Sequence, residues 1–205
     1  MIDRDKILPI LELYKCVQTE GSMAGRPNFL LRTTGCTHRC YFGAGGWCDS
    51  WYTSIHPEKG QYTLNDVEKL FEDNLHIKSL MISGGSPTMH PELVNEVVNL
   101  AKKYELFITL ETEGSHSLFT DQQIDLISLS PKFENSIPQL GAQTPMRKIV
   151  DQKFIDQHNK FRLNDEAISQ LITYHKDYHF KPVVDRNRPI WENIKRFQVR
   201  HNIPN

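Results

Sequence analysis

The stretch Gly35-Cys36-Thr37-His38-Arg39-Cys40-Tyr41-Phe42-Gly43-Ala44-Gly45-Gly46-Trp47-Cys48-Asp49-Ser50 sets three thiols within thirteen residues, as CxxxC followed by seven residues and a third cysteine. Glycines at 43, 45 and 46 let the backbone fold tightly, so the three sulfurs can converge on one centre. A zinc site takes four protein ligands, commonly from CxxC knuckles. Neither that spacing nor a second pair is present, although His38 or Cys16 could be recruited. Incidental thiols, packed as small hydrophobes, are a second reading, and one that fits poorly with three cysteines in a glycine-rich loop. A third is an iron–sulfur cluster held by three thiolates, which leaves one iron open for a cofactor or substrate, as a catalytic centre requires.

Outward from this loop, strand and helix signals alternate. Leu11–Val17 is strand-like, and Phe29–Thr33 is an apolar run ending at the cysteine loop. Thr63, with Asp66 three residues on, predicts a capped helix to about Asp73. Lys78–Ser83 is a short strand stopped by Gly84-Gly85, and Pro91 opens a helix with one apolar face to about Tyr104. Leu106–Leu110 is a strand, Asp121–Ile124 a brief helical turn, and Leu126–Ser130 another strand. A polar, Gly/Pro-containing stretch, Phe133–Arg162, precedes a helix at Asp165–Tyr174, a strand at Tyr178–Val184 and a helix at Trp191–Arg200. Strands spaced by helices imply crossovers and a mainly parallel sheet. Polar clusters fall just past strand ends, at Cys36–Ser50, Ser83–Pro87, Glu111–Gly114 and Ser130–Lys132, where ligands of parallel sheets bind.

Composition bounds the rest. In 205 residues, 24 Lys+Arg oppose 25 Asp+Glu for a net charge of −1, which argues against a sequence-independent grip on nucleic acid. The hydrophobic fraction of 39% can build a core, and no run reaches the ~18 apolar residues of a membrane helix. Met1–Lys6 has no long apolar stretch behind it, so a cytoplasmic protein without a secretory leader is expected. No repeat or linker marks a second domain, so residues 1–205 are expected to form one, with the cluster-binding loop at 34–50.

The cysteine loop resembles that of radical S-adenosylmethionine (SAM) enzymes, and the ordered motifs narrow the likeness to the 7-carboxy-7-deazaguanine synthase family. They are Gln18-Thr19-Glu20-Gly21, Gly25-Arg26-Pro27, Phe29, Arg32, Trp47-Cys48-Asp49-Ser50, Ser83-Gly84-Gly85, Glu111-Thr112-Glu113-Gly114 and Ser130-Pro131-Lys132, across residues 11–184. The resemblance implies an α/β fold, a partial (open) parallel β/α barrel. It also implies a lyase that converts 6-carboxy-5,6,7,8-tetrahydropterin to 7-carboxy-7-deazaguanine with loss of ammonia, in queuosine-type or modified-DNA biosynthesis. Carried onto this chain, Cys36, Cys40 and Cys48 hold a 4Fe–4S cluster and Ser50 ligates Mg²⁺. Trp47, Asp49, Gly85, Ser86, Glu111, Ser130 and Lys132 bind SAM, and Val17, Gln18, Thr19, Glu20, Arg32 and Ser83 bind substrate. Arg32 suits a bidentate carboxylate clamp. A flavodoxin or ferredoxin as electron donor and a homodimer are likewise implied.

Three departures stand out. Seven residues, Tyr41–Trp47, separate Cys40 from Cys48 where most radical SAM enzymes have two. Ser86 stands where the family has Glu, which predicts weaker SAM binding or compensation by Glu111 or Glu113. No final strand with a Gln-Pro-Met-like contact is recognisable, so the pocket is expected to be open, shortened or completed by another subunit on that side. A glycyl-radical-enzyme activase and a non-catalytic zinc-binding module are the alternatives. Cys16 is expected to be a packed thiol.

Overall fold

The structure is a computed structural model, and it describes residues 2–43, 46–186 and 189–203. Six strands form one sheet in sequence order: β1 (Ile10–Val17), β2 (Pro27–Thr33), β3 (Ser79–Gly84), β4 (Phe107–Thr112), β5 (Leu126–Leu129) and β6 (Tyr178–Phe180). β1 pairs antiparallel with β2, because the nine residues between them are too few for a crossover. All later pairs are parallel. β1 and β6 do not pair with each other, so the sheet is an open barrel wall, as expected.

Six helices serve this sheet: α1 (Trp51–Ser54), α2 (Leu64–Glu72), α3 (Pro91–Lys103), α4 (Gln152–Phe161), α5 (Asp165–Tyr174) and α6 (Trp191–Arg200). α2 starts at a complete capping box, in which Thr63 Oγ1 accepts from the Asp66 amide and Asp66 Oδ2 accepts from the Thr63 amide. Such a cap contributes about 1 kcal/mol. α3 starts at Pro91 and buries Leu93, Val94, Val97, Val98, Leu100 and Ala101. Against these helices the strands present Phe29, Leu31, Leu80, Ile82, Ile108, Leu110, Ile127 and Leu129, none detectably exposed. Truncating one of them, such as Ile82, to Ala costs about 2–5 kcal/mol.

Three segments differ from the sequence reading. Asp121–Ile124 bends without forming a helical turn, since the Asp121 amide donates to Asn95 Oδ1 and the Thr120 hydroxyl to the Gln122 carbonyl. The polar stretch 133–162 contains α4, capped by the Asp151 side chain, which accepts from the Phe154 amide. β6 ends at Phe180, and Pro182 soon after has no N–H with which to extend the ladder.

Candidate active site

The two-residue period of a strand sends every second side chain to the face opposite the helices. On β2 to β5 those side chains include Arg32, Met81, Ser83, Glu111 and Ser128, and they line a cavity of about 940 Å³. Register aligns them: Arg32 lies beside Ser83, and Glu111 beside Ser128. A polar band therefore crosses the wall. The Ser83 hydroxyl donates to Glu111 Oε2 at 2.8 Å, and Lys181 Nζ, just past β6, donates to Glu111 Oε1 at 2.8 Å and also pairs with Glu20.

The cysteine loop closes the cavity at the carboxyl ends of the strands. Its long Cys40–Cys48 spacing folds away as a miniature antiparallel ladder. The Cys48 amide donates to the Cys40 carbonyl at 3.1 Å, Tyr41 bridges Trp47, and the Phe42 amide donates to the Gly46 carbonyl at 2.8 Å. Cys40 and Cys48 thus face each other across the ladder despite the seven residues between them. The Gly46 amide donates to the Gly43 carbonyl at 2.8 Å, and Ala44 and Gly45 lie outside the described residues. Trp47 locks the ladder by packing at a tilt against Tyr41 and meeting Phe154 of α4 edge-on, while its Nε1 donates to the Gln143 carbonyl at 2.8 Å. His158, fully buried on α4, accepts from the Arg39 amide at 3.0 Å and lies 3.1 Å from the Ser136 hydroxyl, pinning the CxxxC turn.

All three loop thiols line the cavity, unpaired by disulfides. Burial is the main cause that raises each above the ordinary thiol value, Cys40 to about 12, and each feels the charge of another cysteine or acid. Thiols so placed ionise only against a cation that compensates them, the condition of metal ligands. Cys16 sits apart on β1, 3.9 Å from the Asn28 amide nitrogen. Beside Cys36, ligand atoms of His38 and Glu113 gather within 4.8 Å of one another and of its sulfur.

Gly84 and Gly85 are demanded by backbone packing. A Cβ on Gly85 would stand 2.2 Å from the Gly35 carbonyl oxygen, and one on Gly84, whose φ is +135°, 2.3 Å from that of Thr33. The pair clamps the start of the cysteine loop, which the Ser86 amide also holds by donating to the Gly35 carbonyl at 2.8 Å.

A sequence model of the radical SAM superfamily matches residues 30–186, a span that takes in all three loop cysteines and the wall from β2 to β6. The chain belongs to the radical SAM superfamily. Within it, the chain is 36% identical over 131 residues to a 7-carboxy-7-deazaguanine synthase of Halobacterium salinarum, covering 64% of this chain and 48% of that one. It is 29% identical over 178 residues to the protein of the same name from Rhodopirellula baltica, covering 87% and 63%. This radical SAM chain thus spans about half to two thirds of the length of those relatives. The crystal structure of QueE from Escherichia coli shares its fold at a TM-score of 0.52 and 18% identity, covering 95% of this chain and 90% of that one.

Radical SAM proteins carry a 4Fe–4S cluster and use SAM, and the donor set fits: three thiols lining one cavity, with the fourth cysteine apart on β1. Of the residues read from the sequence as site residues, Gln18, Thr19, Glu20, Arg32, Trp47, Asp49, Ser50, Ser83, Gly85, Glu111, Ser130 and Lys132 line the same cavity as the cysteines. Two do not. Val17 is 56% exposed at the end of β1, and Ser86 is fully buried beneath the cavity floor, with its hydroxyl donating to Glu113 Oε1 at 2.6 Å. Lys181 and His158 were missed: the first reads as one more residue of a strand, the second as one polar residue on a helix with a single buried side chain.

Proposed function

We propose that this chain is a 7-carboxy-7-deazaguanine synthase, converting 6-carboxy-5,6,7,8-tetrahydropterin to 7-carboxy-7-deazaguanine and ammonia. The observation that carries this reading is that Gln18, Glu20 and Arg32 share one cavity with the three thiols. When bound, the cluster and SAM supply one-electron reductive chemistry; the residues around them bind, orient and exclude water.

Gln18 is buried at the end of β1, and its side-chain nitrogen donates to the Glu20 carbonyl at 3.1 Å, fixing a donor–acceptor edge against the heterocycle. Arg32 is the carboxylate clamp. Its Nε donates to Glu12 and its Nη1 to Ser50 Oγ at 3.4 Å, and both Arg32 and Ser50 line the cavity. Burial by itself would depress Arg32, and the Glu12 hydrogen bond and charge outweigh that and hold it firmly cationic. Ser83 and Lys181 fix Glu111 between them, so its carboxylate cannot swing.

Ser50 supplies a hard oxygen for Mg²⁺, and its hydroxyl and amide both donate to Asp49 Oδ1, at 3.2 and 2.6 Å, which keeps the two side chains together. Trp47, Asp49, Gly85, Glu111, Ser130 and Lys132 take SAM, with Lys132 Nζ held 2.6 Å from Ser130 Oγ. A small electron-transfer protein such as flavodoxin or ferredoxin reduces the cluster, and the enzyme works as a cytoplasmic homodimer. Among the described residues no helix is long and apolar enough to cross a membrane.

The test is turnover. Anaerobically reconstituted protein, reduced and given SAM, Mg²⁺ and the carboxytetrahydropterin, is expected to release the deazaguanine acid. A cluster-loaded protein that cleaves SAM but leaves the pterin unchanged overturns the substrate assignment.

A further inference from the structure

We infer that Glu113, in the loop after β4, is the carboxylate that receives the amino group of SAM. The assignment rests on the superfamily's cofactor entering this cavity. Glu113 is only 5% exposed, yet it lines the cavity. Its two oxygens differ sharply. Oε1 is filled by the hydroxyls of Ser86, at 2.6 Å, and Ser115. Oε2 is buried and has no hydrogen-bond partner.

Nor is the charge balanced. Among the described residues the one basic group within ion-pair distance is His38, whose Nδ1 is 3.6 Å away and already shares a hydrogen bond with the Thr37 hydroxyl at 3.0 Å. Of the cations nearby, Lys132 is committed to the carbonyl and hydroxyl of Ser130, and Arg39 to the carbonyls of Cys36 and His38. A buried carboxylate held on one oxygen and bare on the other is costly unless a donor arrives from outside the chain.

Location selects the donor. A Glu113 oxygen and the Cys36 sulfur lie within 4.8 Å of each other, so this carboxylate stands beside a cluster ligand. The part of SAM that binds a cluster is its amino-acid end, and there the amino group is the N–H donor. Ser86, fully buried, serves as the hydrogen-bond partner that fills Oε1 and leaves Oε2 as the oxygen without a partner.

The experiment compares SAM with its analogue lacking the α-amino group, on anaerobically reconstituted protein of known iron content, by equilibrium dialysis. Wild type is expected to bind SAM about 10-fold or more tighter than the deaminated analogue, the range of a hydrogen bond to a charged group. In Glu113→Gln that preference is expected to shrink about 10-fold, the worth of the lost hydrogen bond, through weaker binding of SAM with the analogue unchanged. Equal weakening of both ligands, or an unchanged preference, overturns the assignment. Should Glu113→Gln lose its iron, Glu113→Asp, which keeps the charge on a shorter reach, is measured instead: an intermediate preference supports the assignment and a wild-type one overturns it. A cluster-loaded wild type that binds neither ligand removes SAM itself, an outcome separate from the choice of Glu113.

Discussion

Lys181 Nζ lies 2.8 Å from Glu111 Oε1 and pairs as well with Glu20, so one ammonium joins the end of β6 to β4 and to the loop between β1 and β2. The two edges of an open sheet are thereby bridged across the mouth of the cavity. Burial favours the neutral amine, but the charge and hydrogen bonds of Glu111 and Glu20 outweigh it and raise Lys181 above its ordinary 10.5. A raised lysine contributes stability that is complete below its unfolded value and lost as pH climbs through the folded one. Lys181→Met is therefore expected to lower stability by about 1–3 kcal/mol in urea titrations near neutral pH, a difference that narrows above pH 10.5. It should also raise the KM for the pterin about 10-fold, because Glu20 and Glu111 lose their shared restraint. An unchanged KM would show that the bridge is structural only.

Arg32 separates the two halves of the proposed reaction. Its guanidinium is held by Glu12 and neighbours Ser50, and neither contact involves a cysteine. Arg32→Ala is expected to weaken pterin binding about 10-fold or more while SAM cleavage without pterin persists near the wild-type rate. Arg32→Lys should rescue little, since an ammonium cannot bond Glu12 and a carboxylate in one plane. Equal loss of both activities would remove the clamp role.

Gly85 decides whether the cysteine loop can sit on the sheet. A methyl there would meet the carbonyl oxygens of Gly35 at 2.2 Å and Thr53 at 2.7 Å, both backbone and neither able to rotate away. Gly85→Ala is expected to cost about 1–3 kcal/mol, the range of overpacking, and to reduce iron bound per chain after reconstitution. Full iron loading with an unchanged melting temperature would refute the clamp.

Much of this fold was legible because period and capping coincide: Thr63 and Asp66 announce α2, Pro91 and its apolar face announce α3, and the strands read as short apolar runs. α4 was not, since its one fully buried side chain is His158 and an apolar stripe is what a periodicity reading detects. The cavity lining was legible where polar residues follow strand ends, as at Ser83, Glu111 and Ser130. Direction was not: Ser86 and Glu113 both sit past strand ends, and only the fold shows the serine turned under the floor and the glutamate facing the cysteines. Lys181 escaped because its partners are 70 and 161 residues away in sequence.

The Tyr41–Trp47 ladder brings Cys40 and Cys48 opposite each other despite their long spacing, and Trp47 is its lock, its ring tilted against that of Tyr41 with centroids 4.8 Å apart. Trp47→Ala is expected to leave the fold intact by circular dichroism but to release iron several-fold faster to a chelator. Trp47→Phe, which keeps an aromatic ring against Tyr41 and loses the bond to Gln143, should fall between. Equal release rates in all three proteins would mean that the ladder holds without its aromatic pair.

Asp125 offers a test of the scaffold remote from the cavity. Its Oδ2 accepts from Lys102 of α3 at 2.5 Å and from the Ile108 amide of β4 at 2.9 Å, and its Oδ1 accepts from Lys176 at 2.6 Å, so one carboxylate pins a helix, a strand and the approach to β6. Burial pushes Asp125 up, but the two lysine bonds and the amide bond prevail and hold it below its ordinary 3.8. A depressed carboxylate contributes stability that is complete above the unfolded value and drains away as pH falls through the folded one. Asp125→Asn is expected to lose about 1.5–3 kcal/mol near neutral pH in urea unfolding, the worth of hydrogen bonds to a charged group. Below pH 3.8 the wild type protonates the same site on unfolding, so the two stability curves should converge there. Parallel curves down to the acid limit would mean that some other carboxylate governs acid unfolding.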